Sequence, residues 1–475
     1  MGVLLPSVAV AQDAAIVAAA STTGFPARQG AVDWGLALSG GGVRSATFCV
    51  GALKALHEMG LLDSVDVISS VSGGGYASYW LYKNDLLEGN GQPFGTSAFG
   101  SDRFLRNVCY LQTLGNFVTN RKAVRLAVKS VFRTGAGFDG YKSSIERSFG
   151  HTRTGCGTFT HDTLPLSYLQ PRIRRAEVPY FVINTTLQDD QRQSLTNPLY
   201  NAVELTPFFV GSPALSYYHW TGREAPADRV LWSEAVTMSA AALGLLRHSI
   251  RNFTVTQPSA TISLFDGGRS ENLGALALIT RRIPNIIVVD AEFDNYRFDA
   301  YTNLRNHLGG LGYTLEVREI EEFLKRRQQA RKPKKMAFVP AAGGSYGEVR
   351  DRKTGAVTTR IYYVKMAFST PVEQLLLDES AVAKGEVLCE SRDDIMRERG
   401  ADGCFSCDAL RGRTFDPDLF VYRVKQYRDY ISSRLWLRLT NYRFPQTTTK
   451  DQSYYTDQLE AFIGLGYLQT HRLRR

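Results

Sequence analysis

The sequence predicts an α/β fold with a mostly parallel central sheet flanked by helices. Three observations carry this expectation. A strand-like run, Trp34-Gly35-Leu36-Ala37-Leu38, feeds a glycine loop and then a helical pattern. A second run, Val65-Asp66-Val67-Ile68-Ser69, feeds a Ser/Gly turn and a further helix. Segments 180–184, 262–265 and 285–290 read as additional strands. Strand, turn and helix in repeated order make a βαβα start, and such crossovers set strands parallel with helices on the faces. Ligands of open α/β sheets bind at the carboxyl ends of the strands.

The first helix is expected over residues 43–59. Ala46, Cys49, Val50, Leu53 and Leu56 recur at helical spacing, and Gly60 suits the position just past the helix end. The loop before it, Ser39-Gly40-Gly41-Gly42-Val43-Arg44-Ser45, therefore opens a helix N-terminus, which favours anions. Without Cβ atoms, Gly40, Gly41 and Gly42 can turn backbone N–H groups toward one point. That suits an oxyanion. Arg44 is placed to meet a phosphate or to hold the loop. A nucleotide phosphate loop fits poorly. No Gly-Lys-Ser/Thr follows, and the Gly-x-Gly-x-x-Gly pattern fails at Ser45.

The second turn, Ser70-Val71-Ser72-Gly73-Gly74-Gly75, has the form of a nucleophile elbow. A serine exposed on a tight strand-to-helix turn needs small neighbours two residues either side. Ser72 has Ser70 and Gly74 there; the usual residue at the first place is glycine. Far downstream, Asp266-Gly267-Gly268 follows the run 260–264. Alone this reads as a plain turn. With the other two motifs, Asp266 becomes a candidate general base for Ser72.

These residues resemble the patatin-like phospholipase family, including its cytosolic phospholipase A branch, and most closely a bacterial group. The loop Ser-Gly-Gly-Gly-x-Arg-Ser-Ala-Thr-Phe at 39–48 and the elbow Val-Ser-Gly-Gly-Gly-Tyr at 71–76 carry the similarity. Segments 181–186, 204–207, 238–241 and 266–274 also fit, and 444–462 more loosely. The resemblance implies a dyad of Ser72 as nucleophile and Asp266 as base, without histidine. It implies an oxyanion hole of Gly40, Gly41 and Gly42, with Gly41 and Gly42 as the donors and Gly40 shaping the turn. It implies a phosphate contact at Arg44, no cofactor and no metal. A serine–histidine–aspartate triad, with His219 or His248 as base, is the mechanistic alternative.

Composition sets further bounds. A chain of 475 residues with 44% hydrophobic and 21% charged residues can bury a large core. No apolar run reaches the ~18 residues of a membrane span. The six cysteines are too sparse for a disulfide scaffold. Cys404 and Cys407 have zinc-ligand spacing but no matching second pair, so free thiols are expected. The net charge of +10 draws attention to two basic amphipathic segments, 121–133 and 416–438. Each is either a peripheral contact with an anionic membrane or a core helix with a solvated face. The run 325–335 is the densest in charge, yet no nucleic-acid reader motif accompanies it, and a solvated loop is expected.

The expected organisation is a disordered tail or truncated leader at 1–30, a catalytic domain at 31–300, and a C-terminal extension at 301–475 that packs on the core and shapes a lid. The expected activity is a serine lipid acyl hydrolase cleaving fatty-acyl esters of phospholipids or lysophospholipids, cytoplasmic or at a membrane periphery, in a bacterium. A non-catalytic lipid-surface protein of the same fold, or an acyltransferase using the same dyad, is the alternative.

Overall fold

The computed structural model describes residues 31–88, 92–100, 104, 136–150, 162–188, 202–212, 216–220, 229–241, 248–251, 261–378, 417–433, 444–446 and 456–473. The segment 121–133, Cys404 and Cys407 lie outside them, as do residues 1–30 and Trp436.

Among the described residues, twelve strands form one sheet. They are β1 (Trp34–Leu38), β2 (Val67–Val71), β3 (Tyr180–Gln188), β4 (Ala202–Leu205), β5 (Phe209–Ser212), β6 (Ser216–His219), β7 (His248–Arg251), β8 (Thr261–Asp266), β9 (Asn285–Asp290), β10 (Tyr313–Val317), β11 (Ser345–Asp351) and β12 (Val357–Lys365). The order is β10-β11-β12-β9-β1-β2-β3-β4-β5-β6, with β8 on β3 and β7 on β8. The middle five, β12-β9-β1-β2-β3, run parallel. Antiparallel strands extend both margins.

The longer helices are α1 (Gly42–Glu58), α2 (Gly73–Glu88), α3 (Ala136–Ile145), α4 (Trp232–Ser239), α5 (Asp299–Gly310), α6 (Arg318–Gln329), α7 (Thr370–Leu377), α8 (Pro417–Ser433) and α9 (Thr456–Thr470). No described helix is long and apolar enough to cross a membrane. Helix α1 begins and ends one residue before the expected 43–59, and Gly60 takes φ +65° just past it. Nearly every residue of α1 is buried. This follows from its position between the sheet and α9, since a helix covered on both sides cannot keep a polar face.

Residues beyond 300 complete the same sheet. β12 lies parallel beside β9, with Ile361 opposite Ile286 and Tyr363 opposite Val288. Helix α9 packs on α1 so closely that a Cβ on Gly51 would stand 1.9 Å from the Ile463 carbonyl oxygen. Helix α8 starts at Pro417, a residue suited to a first helical turn, and buries Phe420, Val421, Val424 and Tyr427. Its Arg423 is also buried and pairs with Glu460 of α9 at 2.5 Å. That cation therefore faces the core and is not part of a solvent-facing basic stripe. The densest basic run, 325–335, is not all loop: residues 325–329 end α6 with Arg327 buried, while Arg331, Lys332, Lys334 and Lys335 beyond the helix are exposed.

Candidate active site

Ser72 and Asp266 meet because of strand register. β2 ends at Val71, which pairs with Asn184 of β3. β8 runs the opposite way along the same edge of β3 and ends at Asp266, which pairs with Thr185. The two strands thus approach end to end at consecutive β3 residues. Ser72, the residue after β2, and Asp266, the last of β8, are thus brought to one place although they lie far apart in sequence.

Ser72 sits at φ +50°, a left-handed conformation rare for a residue with a Cβ. Surrounding contacts hold it there. Its N–H donates to Ser239 Oγ at 2.9 Å, and that hydroxyl donates to the Asn184 carbonyl at 2.7 Å. Asn184 Nδ2 in turn donates to Ser69 Oγ and the Ser70 carbonyl. Backbone packs on backbone beneath the elbow: a Cβ on Gly73 would lie 2.1 Å from the Gly42 oxygen, and one on Gly74 2.3 Å from the Leu38 oxygen. The N-termini of α1 and α2 are therefore in contact, and their positive dipole ends converge beside Ser72.

The Asp266 carboxylate accepts the Gly268 N–H at 2.7 Å. Burial raises its pKa from 3.8 to about 6, while the Gly268 N–H, the Ser72 hydroxyl and the Arg269 charge pull it down. The Ser72 hydroxyl is thus within hydrogen-bonding reach of this carboxylate. Tyr76, one turn along α2 from Ser72, shares a hydroxyl–hydroxyl hydrogen bond with Tyr141 of α3. Burial is the main cause that lifts both phenols, Tyr141 to about 12, and the Asp266 charge adds to it.

In the glycine loop, Gly41 takes φ +148° and Gly42 φ +62°, which a side chain at either place would oppose. Gly41 caps α1, so the N–H groups there lie among those a helix leaves without an internal acceptor. Gly40 differs: its N–H donates to the Asn272 carbonyl at 2.8 Å. The Gly40 N–H is thus committed to this bond. Arg44 is only 1% exposed. Its Nε donates to the Ala291 carbonyl at 3.1 Å, and the guanidinium lies 5.9 Å from the Phe293 ring centroid. Of the two roles expected for it, holding the loop is the one this burial favours.

The candidate histidines fare differently. His219 is on β6, four strand spacings from β2, or roughly 19 Å at ~4.8 Å per strand. His248 opposes Leu264 across β7–β8, and its side chain lies outside the described residues. His57, not a candidate base, is half-buried near the end of α1 and packs on Phe99 with ring centroids 5.6 Å apart. Among the described residues, no cluster of His, Cys, Asp and Glu is arranged for a metal.

Sequence reading assigned no role to Ser239, Asn184, Tyr141 or Glu292. Asn184, Ser239 and Asn272 lie inside segments that fit the family resemblance, which is the signal the sequence holds for them.

A family model described as patatin-like phospholipase matches residues 36–279. Over 52 residues the chain is 48% identical to cytosolic phospholipase A2 gamma of Mus musculus, a match covering 11% of this chain and 9% of that protein. The solved structure of human GIVD cytosolic phospholipase A2 aligns with TM-score 0.54 and 13% identity, covering 98% of this chain and 65% of its own. The same human protein in complex with methyl gamma-linolenyl fluorophosphonate aligns with TM-score 0.50 and 14% identity, covering 98% of this chain and 61% of its own. The chain thus spans less than two thirds of these relatives, and at such identities the structures establish a shared fold. The family match runs from the strand before the glycine loop to the turn beyond Asp266, about half the chain, and on that ground the chain belongs to the patatin-like phospholipase family.

Proposed function

We propose that the chain is a serine lipid acyl hydrolase that cleaves fatty-acyl esters of phospholipids or lysophospholipids. The observation that carries this reading is the end-to-end meeting of β2 and β8. It sets the hydroxyl of Ser72, on a left-handed elbow, against the buried carboxylate of Asp266. Ser72 Oγ attacks the ester carbonyl carbon while its proton passes to Asp266. The carbonyl oxygen gains negative charge, which the N–H groups of Gly41 and Gly42 receive at the N-terminus of α1. The tetrahedral intermediate collapses, the acyl–oxygen bond of the leaving alcohol breaks, and the alkoxide takes the proton from Asp266. Water then attacks the acyl-enzyme carbonyl carbon and gives a proton to Asp266; the acyl–Ser72 Oγ bond breaks, that proton returns to Ser72 Oγ, and the fatty acid leaves. Peripheral contact with head groups of an anionic membrane is the last part of the same proposal. The +10 net charge supports it.

The human relative's complex with a long-chain fluorophosphonate supplies the probe. Wild-type protein should be labelled covalently at Ser72 and release fatty acid from a mixed phospholipid extract, as read by mass analysis. Ser72→Ala should fold and do neither, and His248→Ala should keep most activity under the dyad. Normal turnover by folded Ser72→Ala would remove the dyad from consideration.

A further inference from the structure

Asn272 stands where the Asp266 turn meets the glycine loop. Its carbonyl accepts the Gly40 N–H at 2.8 Å. Its side-chain oxygen fills space left by two missing side chains, lying 2.2 Å from where a Cβ on Gly40 would stand and 2.6 Å from one on Gly268. Its Nδ2 donates to Glu292 Oε1 at 3.1 Å. The neighbouring Glu271 carboxylate holds the Leu273 and Leu276 N–H groups at 2.5 and 3.2 Å, which fixes the backbone of the turn.

Glu292 is itself anchored. Its Oε2 accepts the Ala300 N–H in the first turn of α5 at 2.9 Å, and its own N–H donates to Asp290 Oδ1 at 2.8 Å. The preceding Ala291 N–H donates to Ser39 Oγ at 2.8 Å. Glu292 therefore serves two donors, Asn272 Nδ2 and the Ala300 N–H, one on each oxygen. Only a carboxylate can accept on both sides; an amide must turn its NH2 toward one of the donors.

We propose that Asn272, oriented by Glu292, is a positioning residue that fixes the glycine loop for oxyanion binding. The inference rests on the functional reading above. With its Nδ2 tied to the carboxylate, the amide must point its oxygen at Gly40 and Gly268, so one uncharged side chain sets the distance between base turn and donor loop. Aspartate at 272 would put a second carboxylate against Glu292 and a negative charge beside the developing oxyanion. Alanine would keep the Gly40 hydrogen bond and remove the spacer.

The arrangement also responds to pH. Glu292 is faced by Asp290 of β9, by Asp294 in the following loop, by Lys365 of β12 and by the Ala300 N–H of α5. Burial is the main cause that raises its pKa to about 7; Asp290 and Asp294 add to the rise, and Lys365 opposes it. On protonation one oxygen ceases to be a free acceptor, so the hold on Asn272 weakens as pH falls through this range.

The test uses the full chain with Asn272→Ala, Asn272→Asp and Glu292→Gln. Activity on a soluble short-chain p-nitrophenyl ester is followed across pH, alongside fluorophosphonate labelling rates and melting temperatures. Removal of a direct oxyanion donor lowers kcat by ~100- to 1,000-fold, so loss of a residue that positions the donors should lower it by roughly 10- to 100-fold, with KM within about threefold. Glu292→Gln should lower kcat by about tenfold and remove the ionisation near neutral pH from the profile, because its amide no longer titrates. If Asn272→Ala does not fold, Glu292→Gln, which keeps size and polarity, decides. Folded Asn272→Asp and Glu292→Gln with kcat and pH profile like wild type would overturn the positioning role. Wild type that takes no label at Ser72 would overturn the functional reading, and the positioning role with it.

Discussion

Replacing Asp266 by Asn separates the cost of burying a base from the benefit of having one. Asp266 is 8% exposed, and its pKa rises from 3.8 to about 6 chiefly through desolvation. A carboxyl with a higher pKa folded than unfolded binds its proton more tightly in the fold. Stability contributed by the protonated form is therefore lost as pH rises from 3.8 toward 6, and above 6 the penalty stays in full. Two units at ~1.36 kcal/mol each give a penalty of about 3 kcal/mol. Asparagine never ionises, and its side-chain oxygen can still accept the Gly268 N–H. Relative to wild type, Asp266→Asn should thus gain about 2–3 kcal/mol between about pH 4 and about pH 8. Urea unfolding at the two pH values measures this gap. Activity should move the other way. The amide cannot take the Ser72 proton, so turnover should nearly vanish. For wild type, the Asp266 ionisation should make kcat/KM fall as pH drops through about 6, below the separate Glu292 ionisation near 7. A stability gap that is the same at both pH values would refute the account of Asp266 as a desolvated carboxylate. Normal turnover by the asparagine variant would refute its role as base.

Two further outcomes test the framework around the dyad. Ser239→Ala leaves the Ser72 N–H, buried at the elbow, without its acceptor at 2.9 Å, which should cost about 1–3 kcal/mol in urea unfolding and lower kcat through a displaced nucleophile; unchanged stability would mean that the elbow does not need this bond. Gly51→Ala drives a Cβ into the backbone of α9, 1.9 Å from the Ile463 oxygen, and should cost about 3 kcal/mol or more; Gly140→Ala in α3, with open space around the new Cβ, should be neutral or slightly stabilising, and equal melting temperatures for the two variants would contradict the close α1–α9 crossing.

What the sequence determined by itself was local. Residues 34–45 and 67–75 announce strand, loop and helix because apolar periodicity and runs of glycine act over a few residues, and β9 fell where its apolar run predicts. Strand ends were less legible. β2 runs on to Val71 and β8 to Asp266, since a strand lasts as long as a neighbour pairs with it. Tertiary structure alone decided that Ser72 and Asp266 face each other, because their meeting depends on two registers along β3, and register is set by which faces are buried. It also decided the roles of Ser239 and Glu292. A serine at a helix end and a glutamate past a strand look ordinary in a sequence; their hydrogen bonds reach Ser72, 167 positions away, and Asn272, 20 away. Gly51 and Gly466 read only as poor helix formers until α1 and α9 cross. There each glycine admits a carbonyl of the other helix, Ile463 against Gly51 and Phe48 against Gly466. Such a contact has no local signature, because the space a missing side chain leaves acquires meaning only from what the fold brings to fill it.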